Sequence, residues 1–180
     1  MREAEFWYIF GRKPEKFMDS IAFLNRVSQK LASNGFMPMD QRLYQPVGFK
    51  WASRRSGFEI SKFGMHDSTF IFCEIPALDP AKMSGFSNAA FSFANSNKSV
   101  GLPNGFFMSV SCFPVAITSN ADPQLMQIVK GTTPTKHFGG FEMPVVFDTT
   151  TGALAYYEGT PLWGAAYFSG FRKVVVNNLA

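Results

Sequence analysis

The phenylalanine content constrains the fold of this chain more than any other feature of its sequence. Phenylalanine occurs 21 times among 180 residues, beside five tyrosines and three tryptophans, and each such ring buries about 150–250 Å² when it packs. Charged residues make up only 17% of the chain, against about 25% in an average domain. The rings therefore form either a large core or a surface that contacts a partner, and the sequence leaves both possibilities open.

Length and patterning place the chain among ordinary globular proteins. Hydrophobic residues make up 46% of the sequence, which excludes general disorder, and 180 residues suit a single domain spanning residues 1–180. No apolar run approaches the roughly 18 residues that cross a bilayer. Glu3 and Glu5 stand where a secretory signal would carry cations. We therefore expect a cytoplasmic protein without membrane insertion.

The two cysteines and the charge balance add weaker constraints. Cys73 and Cys112 lie in apolar stretches that resemble strands, as is common for buried thiols in a reducing compartment. Spacing alone leaves a disulfide between them open. The formal net charge of +4 slightly favours anionic partners.

Three helices are predicted from apolar spacing and capping residues. Apolar residues recur at helical intervals after Glu15, and Asn34 with Gly35 supplies a left-handed stop. Asp122 is an N-cap followed by a proline at the first helical position, a start that Thr160 repeats before the last helix. In that last helix Val174–Val176 could instead form a strand. The predicted helices span 15–34, 122–131 and 160 to about 176.

Alternating apolar and polar residues predict the strands. The turn-rich segment Gly64–Ser68 predicts a hairpin with His66 at its tip. Residues 77–104 are rich in Ser, Asn, Gly and Phe and are predicted as a long loop, with a short irregular helix near 81–93. The predicted strands span 5–10, 43–51, 57–63, 69–75, 106–117, 143–147 and 153–157. This order predicts an α+β fold: a mainly antiparallel sheet of about six or seven strands, with two or three helices packed on one face.

Sequence signatures of an enzyme are missing. The chain has no phosphate-binding loop, no nucleophile elbow and no paired metal-binding histidines on a helix. His66 and His137 are too far apart in sequence to suggest zinc, so we predict neither a metal nor a cofactor. A histidine, a carboxylate and two glycines do meet between His137 and Glu142, and this pair is the candidate for acid–base catalysis.

Binding is the function that the composition favours. The excess of rings over charges suggests a non-enzymatic protein that associates with another protein or with itself through aromatic side chains. Each of these side chains could equally belong to the core. The candidate interface residues are Phe86, Phe91, Phe93, Trp163 and Tyr167.

Basic residues next to aromatic ones support an alternative. Such pairs can hold nucleic acid or another polyanion through phosphate contacts and base stacking. They are also common as solvated ends of strands and helices. The candidate anion-binding residues are Arg12, Lys13, Arg54, Arg55, Arg172 and Lys173.

Overall fold

Helices and strands alternate along the chain in a computed structural model that describes residues 18–59, 64–105, 107–159 and 165–180, with the backbone alone at 165–167. The helices of this part are α1 (Ser20–Ser33), α2 (Gln41–Tyr44), α3 (Pro80–Ser96), α4 (Pro123–Gly131) and α5 (Ala165–Leu179), with a 3-10 turn at Gln45–Val47. The strands are β1 (Met37–Pro38), β2 (Trp51–Glu59), β3 (Gly64–Glu74), β4 (Met108–Thr118), β5 (Thr135–His137), β6 (Gly140–Glu142), β7 (Val145–Asp148) and β8 (Leu154–Tyr156).

All eight strands belong to one sheet with a parallel centre. The strand order is β1–β2–β3–β4–β6–β5, and β7 also pairs with β4 while β8 pairs with β7. The pairs of β4 with β3, β6 and β7 are parallel, and the other four pairs are antiparallel. The α+β prediction is confirmed for a mixed, mostly antiparallel sheet. The parallel centre arises because α3 connects β3 to β4 as a crossover.

Helices cover both faces of the sheet, so the prediction of helices on one face is wrong. Side chains alternate between faces along a strand, and both faces of β3 and β4 are apolar over much of their length. The front face, as we call it, packs against α1 and α5. The back face packs against α2, α3 and α4. The described residues contain more helices and strands than predicted because several elements are too short to show a period.

Stacked phenylalanine rings form the core of the front face. Phe70 and Phe113 stack with ring centroids 4.7 Å apart, and Phe23 of α1 stacks on Phe147 at 3.7 Å. Phe72 contacts Phe23 edge-on at 6.5 Å. All five rings are almost fully buried, so much of the phenylalanine content is explained by this core.

The segment predicted as a long loop, residues 77–104, contains the 17-residue helix α3. Asp79 caps it by accepting a hydrogen bond from the Lys82 backbone N–H at 2.8 Å, and Pro80 occupies the first turn. The partial helix near 81–93 was therefore predicted correctly but too short. The Ser, Asn and Gly content conceals the helix because its buried face combines small residues with rings.

Two other local predictions are wrong. Residues 43–51 alternate in polarity, yet they form the end of α2 and a 3-10 turn, and Gly48 at φ 85° then redirects the chain into β2. The predicted turn Gly64–Ser68 is the first half of β3, where neighbouring strands pair with it on both sides. The chain between β2 and β3 falls at 60–63, outside the described residues.

The predicted helix ends are correct where a capping residue next to the helix determines them. α4 begins after the Asp122 cap and ends at Gly131, as predicted. α1 lies within the predicted range, with Asp19 as its N-cap accepting from the Ala22 N–H at 2.7 Å. Val174–Val176 is helical. The predicted strand at 5–10 and the Thr160 cap lie outside the described residues.

Two further observations bear on the sequence predictions. Cys73 and Cys112 are both free thiols, so no disulfide joins them, and burial raises the pKa of Cys112 well above its usual range. None of the helices in the described part of the chain combines the length and the apolar character needed to cross a bilayer.

Candidate ligand-binding cleft and a buried acid–imidazole pair

A cleft of about 440 Å³ opens on the front face at the end where β3, β4 and β6 begin. We call it the front cleft. In the first half of β3 and β4, the side chains on the front face are polar. In the second half, phenylalanines on this face are buried in the core. The cleft lies over this polar half and against the side of α5. Its side chains include His66, Ser109, Ser111, Phe141, Phe168 and Phe171.

The polar base of the cleft is a histidine held between two serines. The parallel register sets His66 beside Ser109 and Ser68 beside Ser111. The Nδ1 atom of His66 lies 2.7 Å from Ser109 Oγ, and its Nε2 atom lies 3.0 Å from Ser111 Oγ. In a neutral ring one nitrogen donates and the other accepts. Both serines therefore fix the orientation of the imidazole ring.

A carboxylate also lies near the Nδ1 atom of His66. Glu59, the last residue of β2, places its Oε2 atom 3.9 Å from His66 Nδ1. The Glu59 carboxylate lines a shallow groove with Arg55 and Ser68, and His66 separates this groove from the front cleft. None of the described residues that line the front cleft itself is acidic.

Aromatic rings and one lysine form the wall of the cleft. Phe141 of β6 stacks on Phe171 of α5 with centroids 3.8 Å apart, and Phe168 is buried beside them. The Lys136 Nζ atom lies 5.8 Å from the centroid of Phe168, a favourable position over a ring face. The cleft thus joins an apolar wall to hydroxyl, imidazole and ammonium groups.

The structure brings together the predicted acid–base pair on the back face. His137 Nε2 lies 3.7 Å from Glu142 Oε2, and the His137 ring stacks on Phe91 at 3.8 Å. Glu142 is only 3% exposed, and burial raises the pKa of its carboxyl group, an effect that the nearby His137 opposes. His137 borders the front cleft, whereas Glu142 faces a different cavity. A catalytic role for the pair stays a prediction.

The glycines between them serve a tight turn. Gly139 adopts φ 68° at the turn from β5 to β6, a conformation that favours glycine. A Cβ atom on Gly139 would collide with the backbone of Gly105, and one on Gly140 would lie 2.8 Å from the Val110 carbonyl oxygen. These glycines therefore allow the hairpin to approach β4 closely.

The aromatic residues predicted to form an interface are buried where the structure describes them. Phe86, Phe91 and Phe93 of α3 are only 7–8% exposed and belong to the back core, so their position does not support an interface role. Trp163 and the side chain of Tyr167 lie outside the described residues. The most exposed rings described are instead Phe58, Phe107 and Phe138. Self-association stays a prediction.

The predicted anion-binding residues are separated, and several have structural partners. Arg54 and Arg55 are consecutive in β2 and therefore point to opposite faces. Arg54 donates to the Asn97 carbonyl oxygen, and Arg55 lies over the Phe36 ring at 4.8 Å.

The remaining basic candidates lie far from β2 or outside the described residues. Arg172 of α5 donates to the carbonyl oxygens of Glu158 and Gly159. These two residues follow β8, which is separated from β2 by β3, β4 and β7 in the sheet. Lys173 is exposed, and Arg12 and Lys13 lie outside the described residues. The described candidates thus lie on two separate elements, β2 and α5, and nucleic-acid binding stays a prediction.

The front cleft was missed because its residues are distant in sequence. Ser109 and Ser111 are two positions apart in the predicted strand 106–117 and therefore share one of its faces. His66 was predicted at an exposed hairpin tip, and only the parallel pairing of β3 with β4 brings it to serines more than forty positions away.

Neither a metal site nor a known relative identifies the protein. Among the described residues, no group of three or more His, Cys, Asp or Glu side chains is arranged to hold a metal ion. No family model matches this chain, and the chain matches no curated protein and no solved structure.

Proposed function

We propose that this protein binds a small organic anion with an aromatic or aliphatic body in the front cleft. The observation that supports the proposal is the lining of the cleft, in which hydroxyl, imidazole and ammonium groups adjoin stacked phenylalanines. Pockets of a few hundred Å³ with mostly apolar walls and a few convergent polar groups are typical small-molecule sites. The association with a protein partner expected from the composition is a separate prediction, and the cleft does not test it.

The sign of the ligand charge follows from the groups that line the cleft. Lys136 supplies a positive charge, and the serine hydroxyls can donate hydrogen bonds. A carboxylate or sulfonate meets donors there and, among the described lining residues, no acidic side chain. The apolar body of the ligand packs against Phe141 and Phe171, where burial of apolar area favours binding.

Two fluorescent probes with the same aromatic body test the proposal. Anilinonaphthalene sulfonate carries an anionic group, whereas N-phenylnaphthylamine lacks it. We expect the sulfonate to bind more tightly, because its charge meets Lys136. The Lys136→Met variant should weaken sulfonate binding about fivefold, the equivalent of about 1 kcal/mol, and leave the neutral probe unaffected. Fluorescence titration measures both affinities.

A second lysine in the chain provides the matched control. Lys173→Met removes the same charge from an exposed position of α5 that does not line the cleft, so it should leave both affinities unchanged. Phe171→Leu should weaken both probes, because both use the aromatic wall. Equal affinities for the two probes, or equal losses in the two lysine variants, would reject an anion site in the front cleft.

A further inference from the structure

A second cavity, the back pocket, lies between α3 and α4 on the opposite face of the sheet. Its volume is about 150 Å³, and none of its described lining residues is shared with the front cleft. The size restricts it to a small ligand, since drug-sized molecules occupy about 300 Å³ or more. Its apolar walls are formed by Pro80, Met83, Leu125, Ile128, Val129 and Tyr157.

Two buried oxygen atoms line this apolar pocket. Glu142 is 3% exposed, and its Oε2 atom has no hydrogen-bond partner among the described residues. Ser87 is 2% exposed, and its Oγ atom also has none there. Both residues line the back pocket. The Ser87 and Thr135 hydroxyls lie close enough to the Glu142 carboxyl group to lower its pKa. The Oε2 atom of Glu142 still lacks a hydrogen bond of good geometry, and an acceptor left in this state is costly to the folded protein, so a ligand with N–H donors is favoured here.

The charge of Glu142 is incompletely compensated within the described part of the chain. Its recorded ion-pair partner there is His137, and their separation of 3.7 Å exceeds a hydrogen bond. Stacking on Phe91 holds the imidazole ring in this position. No group of three or more His, Cys, Asp or Glu side chains in the described part of the chain is arranged to hold a metal ion, which favours an organic cation over a metal ion.

We propose that the back pocket binds a small primary ammonium ion with an apolar tail, and that Glu142 is its counter-ion. The ammonium group donates hydrogen bonds to Glu142 Oε2 and Ser87 Oγ. The tail packs against Met83, Leu125 and Val129, which are buried around the carboxylate. Ile128 is 49% exposed and forms the rim of the pocket.

Calorimetric titration with n-butylammonium and n-butanol tests this assignment, because the two probes differ mainly in charge. We expect n-butylammonium to bind at least about tenfold more tightly, as charge-assisted hydrogen bonds are the strong ones. Glu142→Gln should abolish this difference. Ile128→Trp places a large side chain at the exposed rim and should block both probes while the protein stays folded.

A second carboxylate separates the site from a general effect of charge. Glu158 is half-exposed and pairs with Lys130 outside the pocket lining, so Glu158→Gln should leave both affinities unchanged. Circular dichroism confirms the fold of each variant, and the sulfonate probe of the front cleft reports on that site independently. Equal binding of the two probes, or an equal loss in Glu158→Gln and Glu142→Gln, would overturn the ammonium site.

Discussion

Helices pack against both faces of the sheet, but the side chains between helix and sheet differ from one face to the other. On the front face, phenylalanines from β3, β4 and β7 stack on one another and on rings from α1 and α5. On the back face, alanines lie among the larger residues and allow α3 to approach the strands. Alternation along β3 and β4 thus separates rings from small residues. Many phenylalanines therefore belong to the core.

The polar groups of the two faces differ as well. Both ring nitrogens of His66 on the front face are close to serine hydroxyls. On the back face, Glu142 is buried at distances too long for a hydrogen bond to His137. A buried polar group that forms hydrogen bonds stabilises the folded state, whereas a buried polar group without them destabilises it. Removing a polar group should therefore change stability in opposite directions on the two faces.

The largest expected loss of stability comes from replacing a phenylalanine of the front core, and it should exceed the loss at a phenylalanine of the back core. Within the described part of the chain, Phe113 contacts the rings of Phe70, Phe141 and Phe171, and it is fully buried. Phe113→Leu should lower the free energy of unfolding by about 2–3 kcal/mol, because ring contacts are lost together with buried volume. Urea denaturation measures this loss.

The matched change on the back face is Phe93→Leu. Among the described residues, Phe93 contacts the Phe49 ring alone, at 5.5 Å, and it is slightly exposed. We expect a loss of about 1 kcal/mol. Equal losses at the two positions would mean that ring stacking does not distinguish the faces.

An intermediate effect is expected at the serines of the front cleft. Ser111→Ala should lower the free energy of unfolding by about 1–3 kcal/mol, because it leaves the Nε2 atom of a largely buried His66 without the hydroxyl. Ser109 is more exposed, so water can replace its hydroxyl, and Ser109→Ala should cost less than about 1 kcal/mol. Thermal denaturation monitored by circular dichroism ranks the two variants, and a larger loss at Ser109 would contradict this account.

A last effect has the opposite sign and depends on pH. Burial raises the pKa of Glu142 above its ordinary value of 4.5, so the folded protein holds this proton more tightly than the unfolded chain does. The carboxyl group favours folding below pH 4.5, and this contribution is lost as the pH rises through the raised pKa. Glu142→Gln should therefore stabilise the protein at pH 8 by about 1 kcal/mol.

This advantage should shrink as the solution is acidified, which urea denaturation at several pH values can follow. The titratable groups near Glu142 are His137 of β5 and Cys112 of β4. Glu158→Gln, on the surface, should change the stability less than Glu142→Gln at pH 8. Destabilisation by Glu142→Gln at pH 8 would instead show that the pair with His137 is net favourable.

The sequence predicted elements whose ends are decided by neighbouring residues. Asp122 and its following proline fix the start of α4, and the turn between β7 and β8 falls at Gly152, where φ is 72°. α3 was only partly recognised, because its polar and small residues give a weak helical pattern. The prediction of a strand at 43–51 was wrong because two local features override the alternating polarity. Asp40 caps a short helix, and Gly48 ends the 3-10 turn that follows it.

The candidate sites, too, could be predicted only where their residues are close together in the sequence. His137 and Glu142 are five positions apart and face each other across a hairpin, so nearness in sequence was a useful guide. His66 meets Ser109 and Ser111 only through the pairing of β3 with β4 across a helical crossover. The sequence gives no local sign of that register.

By itself, the sequence predicted an α+β fold, three helices with their capping residues, and His137 with Glu142 as a candidate acid–imidazole pair, and it left open whether the rings form a core or a partner surface. Tertiary structure decided which rings are buried, which face each strand residue occupies, and where the two cavities lie. The physical reason is range: caps and turns depend on hydrogen bonds within a few residues, whereas burial and cavities depend on contacts between segments far apart in the chain.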